Sequence, residues 1–181
     1  VDGSECALQA VRWAAAEAAL RHLPLRLVAA HTWPAGGLVG DPGLGIDPQA
    51  VLRDVVRGQL AAAEAVVAEV VPDLPVGKVE KVEKVEAEGD PVAVLAGESE
   101  RARLLVLGDR GLGGFTELMI GSVAVTLCTQ AGCPVVVVRG TDVDPTAPRL
   151  EPVVVGVDGS PASEAAVAFA VAAAVLRGVP L

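Results

Sequence analysis

The residues with the clearest chemical potential form a glycine-rich segment that follows a short apolar run. Residues 104–107 are all apolar, and Gly108, Gly111, Gly121 and Ser122 then complete the spacing Gly-x2-Gly-x9-Gly-Ser. Glycine lets backbone N–H groups approach a ligand closely, because no side chain stands in the way. A helix that starts near Ser122 adds unpaired N–H groups and the positive end of its dipole, which both favour phosphate. The spacing therefore predicts an anion-binding loop.

The elements that must position this loop follow from the apolar periodicity. Helical spacing covers residues 4–22, 47–71, 91–101 and 121–131, with Ser4 and Asp47 as N-caps. Apolar runs predict strands at 25–30, 104–107 and 135–139, and the Gly- and Pro-rich residues 34–46 are predicted to be a mobile loop. Alternating strands and helices predict a parallel sheet with helices on both faces.

The composition limits the possible partners. The chain has 181 residues, is 52% hydrophobic and has a formal net charge of −9. Such a chain can bury a core, and its negative charge argues against nucleic acid or an anionic membrane surface as a partner. No stretch is long and apolar enough for a membrane span, and no signal peptide is visible.

The three cysteines, Cys6, Cys128 and Cys133, form no CxxC pair. An odd number without that spacing argues against a zinc site or a disulfide framework and is typical of a reducing cytoplasm. Cys128 falls in an apolar helical pattern and is predicted to be a core residue. His31 has no second histidine close in sequence, so we interpret it as a polar strand end rather than a metal ligand.

Three landmarks of the chain resemble the universal stress protein family. The spacing Gly108-x2-Gly111-x9-Gly121-Ser122 resembles the ATP-binding signature of that family. Val1-Asp-Gly-Ser4 resembles the end of its first strand, and Cys133-Pro-Val-Val-Val-Val-Arg139 resembles its last strand. The landmarks occur in the family's order and together span most of residues 1–139.

The resemblance implies the fold of residues 1–140. It is an α/β domain with an open parallel five-stranded sheet of order 3-2-1-4-5 and helices on both faces, similar to the adenine nucleotide alpha hydrolases. The resemblance adds a strand at 82–88 and implies that most of the first strand is missing before Val1. In such a sheet, ligands bind at the carboxyl ends of the strands where the order reverses, here between strands 1 and 4.

The resemblance also implies the ligand, ATP with Mg2+ as a companion ion, and the residues that hold it. Asp2 would accept a hydrogen bond from a ribose hydroxyl, although a turn that caps the following helix explains Asp2-Gly3-Ser4 as well. The resemblance implies backbone contacts to ribose and phosphates from Gly108, Gly111, Gly121 and Ser122. It places Thr32 beside the adenine, and Leu107 and Val123 near the nucleotide.

Two residues depart from the family pattern in the loop. Asp109 stands where a small polar residue is more usual, and Glu117 adds a second carboxylate before Gly121. Each side chain would repel phosphate if it pointed inward, whereas Arg110 would offset part of that repulsion.

Three functions remain open at this point. The first is a regulatory, cytoplasmic module of the stress response that binds ATP. The second is a slow ATP-hydrolysing enzyme of the adenine nucleotide alpha hydrolase type, although no Walker lysine or Ser-His-Asp set is visible. The third is an interaction module without nucleotide. We also expect self-association through the apolar edge strand Val135–Val138, which offers unpaired backbone groups to another strand.

The end of the chain repeats its beginning. Val157-Asp-Gly-Ser160 matches Val1-Asp-Gly-Ser4, and the similarity continues to Leu181. This predicts a tandem-repeat protein with a linker at 141–152 and, at 153–181, one strand and one helix of a second repeat. A further hypothesis is that Val153–Val157 inserts between strands 2 and 4, in place of the missing first strand.

Overall fold

The computed structural model describes residues 1–32, 47–71, 82–111, 120–140 and 151–181. Two units are distinguished along the chain, Val1–Pro145 and Thr146–Leu181. The first unit contains four helices and four strands among the described residues. In chain order they are α1 (Glu5–Arg21), β1 (Leu25–His31), α2 (Pro48–Val70), β2 (Val82–Glu88), α3 (Pro91–Ser99), β3 (Leu105–Gly108), α4 (Ser122–Gln130) and β4 (Val135–Val138).

The ends of α1 show how the sequence sets an element boundary. The Ser4 side chain accepts a hydrogen bond from the Ala7 N–H at 3.2 Å, which satisfies one of the unpaired donors of the first turn. At the other end His22 adopts the left-handed conformation with φ 53°, and its N–H bonds to the last turn. Pro24 follows two residues later and prevents the helix from continuing.

The strands form two separate parallel pairs. β1 pairs with β2 over the full register from Leu25↔Val82 to His31↔Glu88, and β3 pairs with β4 from Leu105↔Val135 to Gly108↔Val138. No described strand bridges the two pairs, so the single five-stranded sheet is not present in the described part of the chain. β1 and β3 do not hydrogen-bond to each other. Beside β1, the backbone nitrogen of Val1 donates a hydrogen bond to the Val28 carbonyl.

The core lies where α1, α2, β1 and β2 meet. Its buried residues are small and aliphatic, as the Ala- and Val-rich sequence requires: Val11, Ala15, Leu27, Ala29, Val56, Leu60, Ala63, Val66, Val67 and Val82. Burial of a Val or Leu side chain contributes about 1.5–3 kcal/mol each, so this cluster fixes α1 and α2 against the first strand pair.

The second unit contains one helix, α5 (Pro161–Arg177), which Ser160 caps through the Ser163 N–H at 3.2 Å. Residues 152–158 belong to no strand, and the Val153 N–H donates to the carbonyl of Pro180. The predicted strand Val153–Val157 is therefore absent, and its predicted insertion beside Leu27–Ala30 or Leu104–Leu107 is wrong for this chain. The backbone hydrogen bond of this segment goes instead to Pro180, within its own unit.

Most predicted elements agree with the structure to within two residues, including the strand at 82–88. Three predictions lie outside the described residues: the loop at 34–46, most of the linker at 141–152, and the part of the glycine segment that contains Glu117.

Candidate functional site

A cavity of about 570 Å³ lies between β1 and β3 in the first unit. Its walls come from residues of these two strands and of α1 and α3, and they are mostly apolar but include the charged residues Arg26, Glu98 and Arg101. At the carboxyl end of β3 the lining becomes polar, with Asp2, Asp109, Arg110, Gly111, Gly121 and Ser122. One end of the cavity thus combines carboxylates, a cation and the glycine residues singled out from the sequence.

The two carboxylate oxygens of Asp2 face different groups. Oδ1 accepts hydrogen bonds from the Ser4 N–H at 3.0 Å and from the Ser4 hydroxyl at 2.7 Å, which builds the turn before α1. Gly3 makes this turn possible with its φ of 83°. Oδ2 instead faces the glycine loop, since a Cβ added to Gly111 would lie 2.5 Å from it. The turn-and-cap role is therefore present, and the second oxygen lies at the cavity.

Gly108 and Gly111 allow close backbone approaches on both sides of the loop. A Cβ at Gly108 would lie 2.7 Å from the backbone carbon and oxygen of Cys6, so the end of β3 packs directly against the first turn of α1. At Gly111, any side chain would collide with the Asp2 carboxylate. Both glycines are required by their surroundings rather than by an unusual φ.

The backbone of Asp109 joins three elements. Its N–H donates to the carbonyl of Val138 at 3.0 Å, and its carbonyl accepts the Gly121 N–H at 2.6 Å. These bonds tie the end of β3 to the end of β4 and to the residue before α4. The ends of β3 and β4 and the start of α4 are consequently adjacent.

The N-terminus of α4 faces the same cavity. Gly121 is its N-cap residue, no side chain caps it, and its first turn contains no acidic residue. The N–H groups of Ser122 and Val123 are in the first turn, where an α-helix supplies no carbonyl partner. These groups can donate hydrogen bonds to an anionic or carbonyl oxygen of a ligand.

The side chain of Asp109 lies next to Cys6 and Arg110. Asp109 is only 4% exposed. Its Oδ2 is 3.6 Å from Arg110 Nε, and its Oδ1 has no hydrogen-bond partner in the described part of the chain. Burial raises the pKa of the Cys6 thiol, and the hydrogen bond and the charge of Asp109 raise that pKa further, whereas Arg110 opposes them.

The structure brings together all but one of the residues implied by the resemblance. Thr32 follows β1 and is exposed, and it is not among the residues that line the cavity. The others line the cavity: Asp2, Leu107, Gly108, Gly111, Gly121, Ser122 and Val123.

Gln59 is a site residue that the sequence did not reveal. Its Nε2 donates to the backbone oxygen of Asp2 at 2.8 Å, so α2 holds the turn that carries the carboxylate. Gln59 lies on an ordinary amphipathic helix, where no motif distinguishes it from any other surface residue. Only the packing of α2 against α1 places it beside Asp2.

Cys128 corrects an expectation. It is exposed on α4 and is not a core residue; the buried residues of this helix are Ala124 and Leu127. The apolar run was too short to show which of its residues face inward.

Two other features are absent from the described residues, a metal-binding cluster and a membrane-spanning helix. Within the described ranges, no group of three or more His, Cys, Asp or Glu side chains is placed to hold a metal ion. No helix in those ranges has the length and apolarity needed to cross a bilayer.

Comparison with known proteins identifies the family. The family model described as "Universal stress protein family" matches residues 1–139, which include every element of the first unit. The chain belongs to the universal stress protein family. The matched range contains the residues that line the cavity.

Curated relatives are universal stress proteins of mycobacteria. The chain is 34% identical over 189 residues to universal stress protein Rv2005c of Mycobacterium tuberculosis and 36% identical over 200 residues to Rv2623 of the same organism. Each alignment covers 100% of this chain and 60% of the relative. The chain thus spans about 60% of the length of the curated relatives that it matches.

Solved structures share the fold. A universal stress protein crystallised in complex with cAMP has a TM-score of 0.56 and 23% identity, covering 77% of this chain and 92% of its own. A universal stress protein from Archaeoglobus fulgidus has a TM-score of 0.52 and 24% identity, covering 75% and 91%. These similarities establish an α/β fold with parallel strands and helices.

Proposed function

We propose that this universal stress protein is a cytoplasmic regulatory module that binds an adenine nucleotide, ATP with Mg2+, at the polar end of the cavity, beside the carboxyl end of β3. One observation carries the proposal: the Asp2 carboxylate, the close backbone of Gly111 and the N-terminus of α4 meet at one end of this cavity. A carboxylate suits ribose hydroxyls, and unpaired N–H groups suit phosphates. The cAMP complex of a structural neighbour supports a nucleotide as the class of ligand.

Each residue has a role in this proposal. Asp2 accepts a hydrogen bond from the ribose through Oδ2. Ser122 and Val123 lie at the N-terminus of α4, and with Gly108, Gly111 and Gly121 they provide backbone contacts to ribose and phosphates. Leu107 lies beside the nucleotide, and Thr32 would reach the adenine from the end of β1.

Two finer features of the family remain proposals. The five-stranded order 3-2-1-4-5 requires a strand between β1 and β3, where Val1 donates to Val28. The tandem-repeat organisation is supported by local geometry, because Asp158 Oδ1 accepts the Ser160 N–H at 2.9 Å as Asp2 Oδ1 accepts that of Ser4. Gly159 has φ 79°, close to the 83° of Gly3.

The proposal is tested with the purified chain by calorimetric titration of adenosine, AMP and ATP with Mg2+. We expect saturable binding with one site per first unit, and mass spectrometry of the freshly purified protein should identify a co-purified adenine nucleotide. Absence of heat with all three ligands, in a chain whose far-ultraviolet circular dichroism shows the expected helices, would reject the proposal.

A further inference from the structure

Asp109 occupies a fixed position in the cavity. Its backbone is bonded on both sides, through its N–H to Val138 and through its carbonyl to Gly121. A residue held in this way cannot move its Cα away from a ligand without breaking the contacts that close the loop. Any charge on its side chain therefore stays beside the glycine residues.

The carboxylate of Asp109 is only partly compensated, by Arg110 and by a hydrogen bond with the Cys6 thiol. It is 4% exposed, so water screens its charge little. Its ion-pair partner among the described residues is Arg110, at 3.6 Å from Oδ2, and the Arg110 side chain is 45% exposed. Oδ1 is buried and lacks a hydrogen-bond partner within the described ranges. Buried polar groups are nearly always satisfied, so this oxygen is an exception that calls for a ligand or a functional reason.

The loop around Asp109 otherwise favours anions. The N-terminus of α4 has no acidic residue in its first turn, and Gly111 and Gly121 expose backbone on the same side as the cavity. Asp109 thus places a buried negative charge inside a site that is built for negative ligands. Its repulsion must grow with the number of charges on the bound phosphate, because Coulomb energy is proportional to the product of the charges.

We propose that Asp109 makes the site select nucleotides by phosphate charge. Adenosine and nucleotides with little phosphate charge bind freely, whereas ATP binds only when a divalent cation neutralises part of its charge. This inference rests on the proposed nucleotide site and deepens it. It assigns the selectivity of the site to one residue that departs from the family's usual loop.

The test compares Asp109→Asn with the wild-type chain by calorimetry, using adenosine, AMP, ATP in EDTA and ATP with Mg2+. Asn has nearly the same shape as Asp and leaves the backbone bonds of residue 109 in place. We expect the affinity for ATP in EDTA to rise about ten-fold or more, that for AMP to rise less and that for adenosine to change less than about two-fold. The gain that Mg2+ gives to ATP binding should fall correspondingly. Asp109→Ser is a second variant without the negative charge, for use if Asp109→Asn fails to fold.

The control is Asp158→Asn, which removes one negative charge from the turn of the second unit that corresponds to the turn at Asp2. It tests whether the affinity for ATP depends on the total charge of the chain or on the position of the charge at residue 109. Equal changes for adenosine, AMP and ATP in Asp109→Asn would overturn the inference, since a purely structural role has no dependence on phosphate charge. No change, or an equal effect from Asp158→Asn, would overturn it as well. Adenosine binding with no gain for ATP rejects this inference alone, whereas no binding of any ligand to any variant rejects the proposed function together with it.

Discussion

The carbonyl oxygen of Asp109 lies 2.6 Å from the backbone nitrogen of Gly121. This hydrogen bond joins the residue after β3 to the residue before α4, so the two landmarks of the glycine spacing are adjacent in space. A Cβ at Gly121 would lie 3.2 Å from the same oxygen, which explains why a residue without a side chain stands there. The two ends of the motif are thus held together by a backbone hydrogen bond.

Replacement of Gly111 by Ala should weaken nucleotide binding, because its Cβ would lie 2.5 Å from Asp2 Oδ2 and displace the carboxylate. Overpacking of this kind costs about 1–3 kcal/mol, which corresponds to a loss of roughly five-fold to a hundred-fold in the affinity for adenosine measured by calorimetry. Gly111→Glu should abolish binding, since it adds charge as well as volume. Gly58→Ala is the control: nothing lies within 4 Å of that position in α2, and Ala should stabilise the helix by about 0.5–1 kcal/mol. Unchanged affinity in Gly111→Glu would contradict the assignment of this loop.

Replacement of Asp2 by Asn should lower the affinity for adenosine by about ten-fold or more, since a hydrogen bond to a charged group contributes roughly 1.5–3 kcal/mol. Asp158→Asn makes the same change in the matching turn of the second unit, where Asp158 Oδ1 also accepts the Ser160 N–H. Both variants disturb a turn and a helix cap equally, so only the first should affect binding in a calorimetric titration. Similar affinities for the two variants would show that Asp2 serves the turn alone.

The pKa of the Cys6 thiol should lie above that of an ordinary cysteine. Burial and the neighbouring Asp109 raise its pKa from 9.0. In a chain with Cys128→Ser and Cys133→Ser, the rate of alkylation by iodoacetamide should reach half its maximum above pH 9, and Asp109→Asn should shift the midpoint down. The folded state holds this proton more tightly than the unfolded state, so the thiol's contribution to stability is complete below the unfolded pKa. It is lost as the pH rises through the folded pKa. A midpoint at or below that of a free thiol would contradict the contact with Asp109.

Self-association through β4 should depend on Val137 rather than on Val136. The N–H groups of Leu105 and Asp109 donate to the carbonyls of Pro134 and Val138. Because backbone groups alternate sides along a strand, the even-numbered residues of β4 bond to β3 and the odd-numbered ones face the opposite edge.

A proline at position 137 therefore removes an edge donor and leaves the pairing with β3 intact. By analytical ultracentrifugation, we expect Val137→Pro to shift a dimer to monomer without loss of helical signal. Val136→Pro should instead disrupt the pairing of β3 with β4 and lower the melting temperature. A wild-type chain that stays monomeric at high concentration would contradict the proposal.

His22 should be a site of stored backbone strain. It has φ 53° at the end of α1, and the matching position at the end of α5 is Gly178, with φ 65°. The left-handed conformation costs a residue with a Cβ about 1–2 kcal/mol, so His22→Gly should increase the free energy of unfolding by about 1 kcal/mol. His22→Ala is the control, because it removes the imidazole but keeps the Cβ. An equal gain in both variants, measured by urea denaturation, would locate the effect in the side chain instead.

The sequence by itself determined the order of the elements and the identity of the loop. Ser4, Asp47 and Pro24 specify helix ends through local hydrogen bonds and a missing N–H, so their effect does not depend on distant contacts. The glycine spacing likewise identified the cavity-lining residues Gly108, Gly111 and Gly121, because glycine has no side chain and is the residue type that allows close backbone approach.

Only the tertiary structure decided which side chains share the site and how the strands pair. Gln59 reaches Asp2, and Asp109 becomes buried beside Cys6, through the packing of elements that are far apart in sequence. Pairing is decided in the same way: Val153–Val157 has the composition of a strand, but it forms no ladder in this chain. A strand needs a partner with free backbone groups at the right distance, and a local pattern of valines carries no information about where that partner lies.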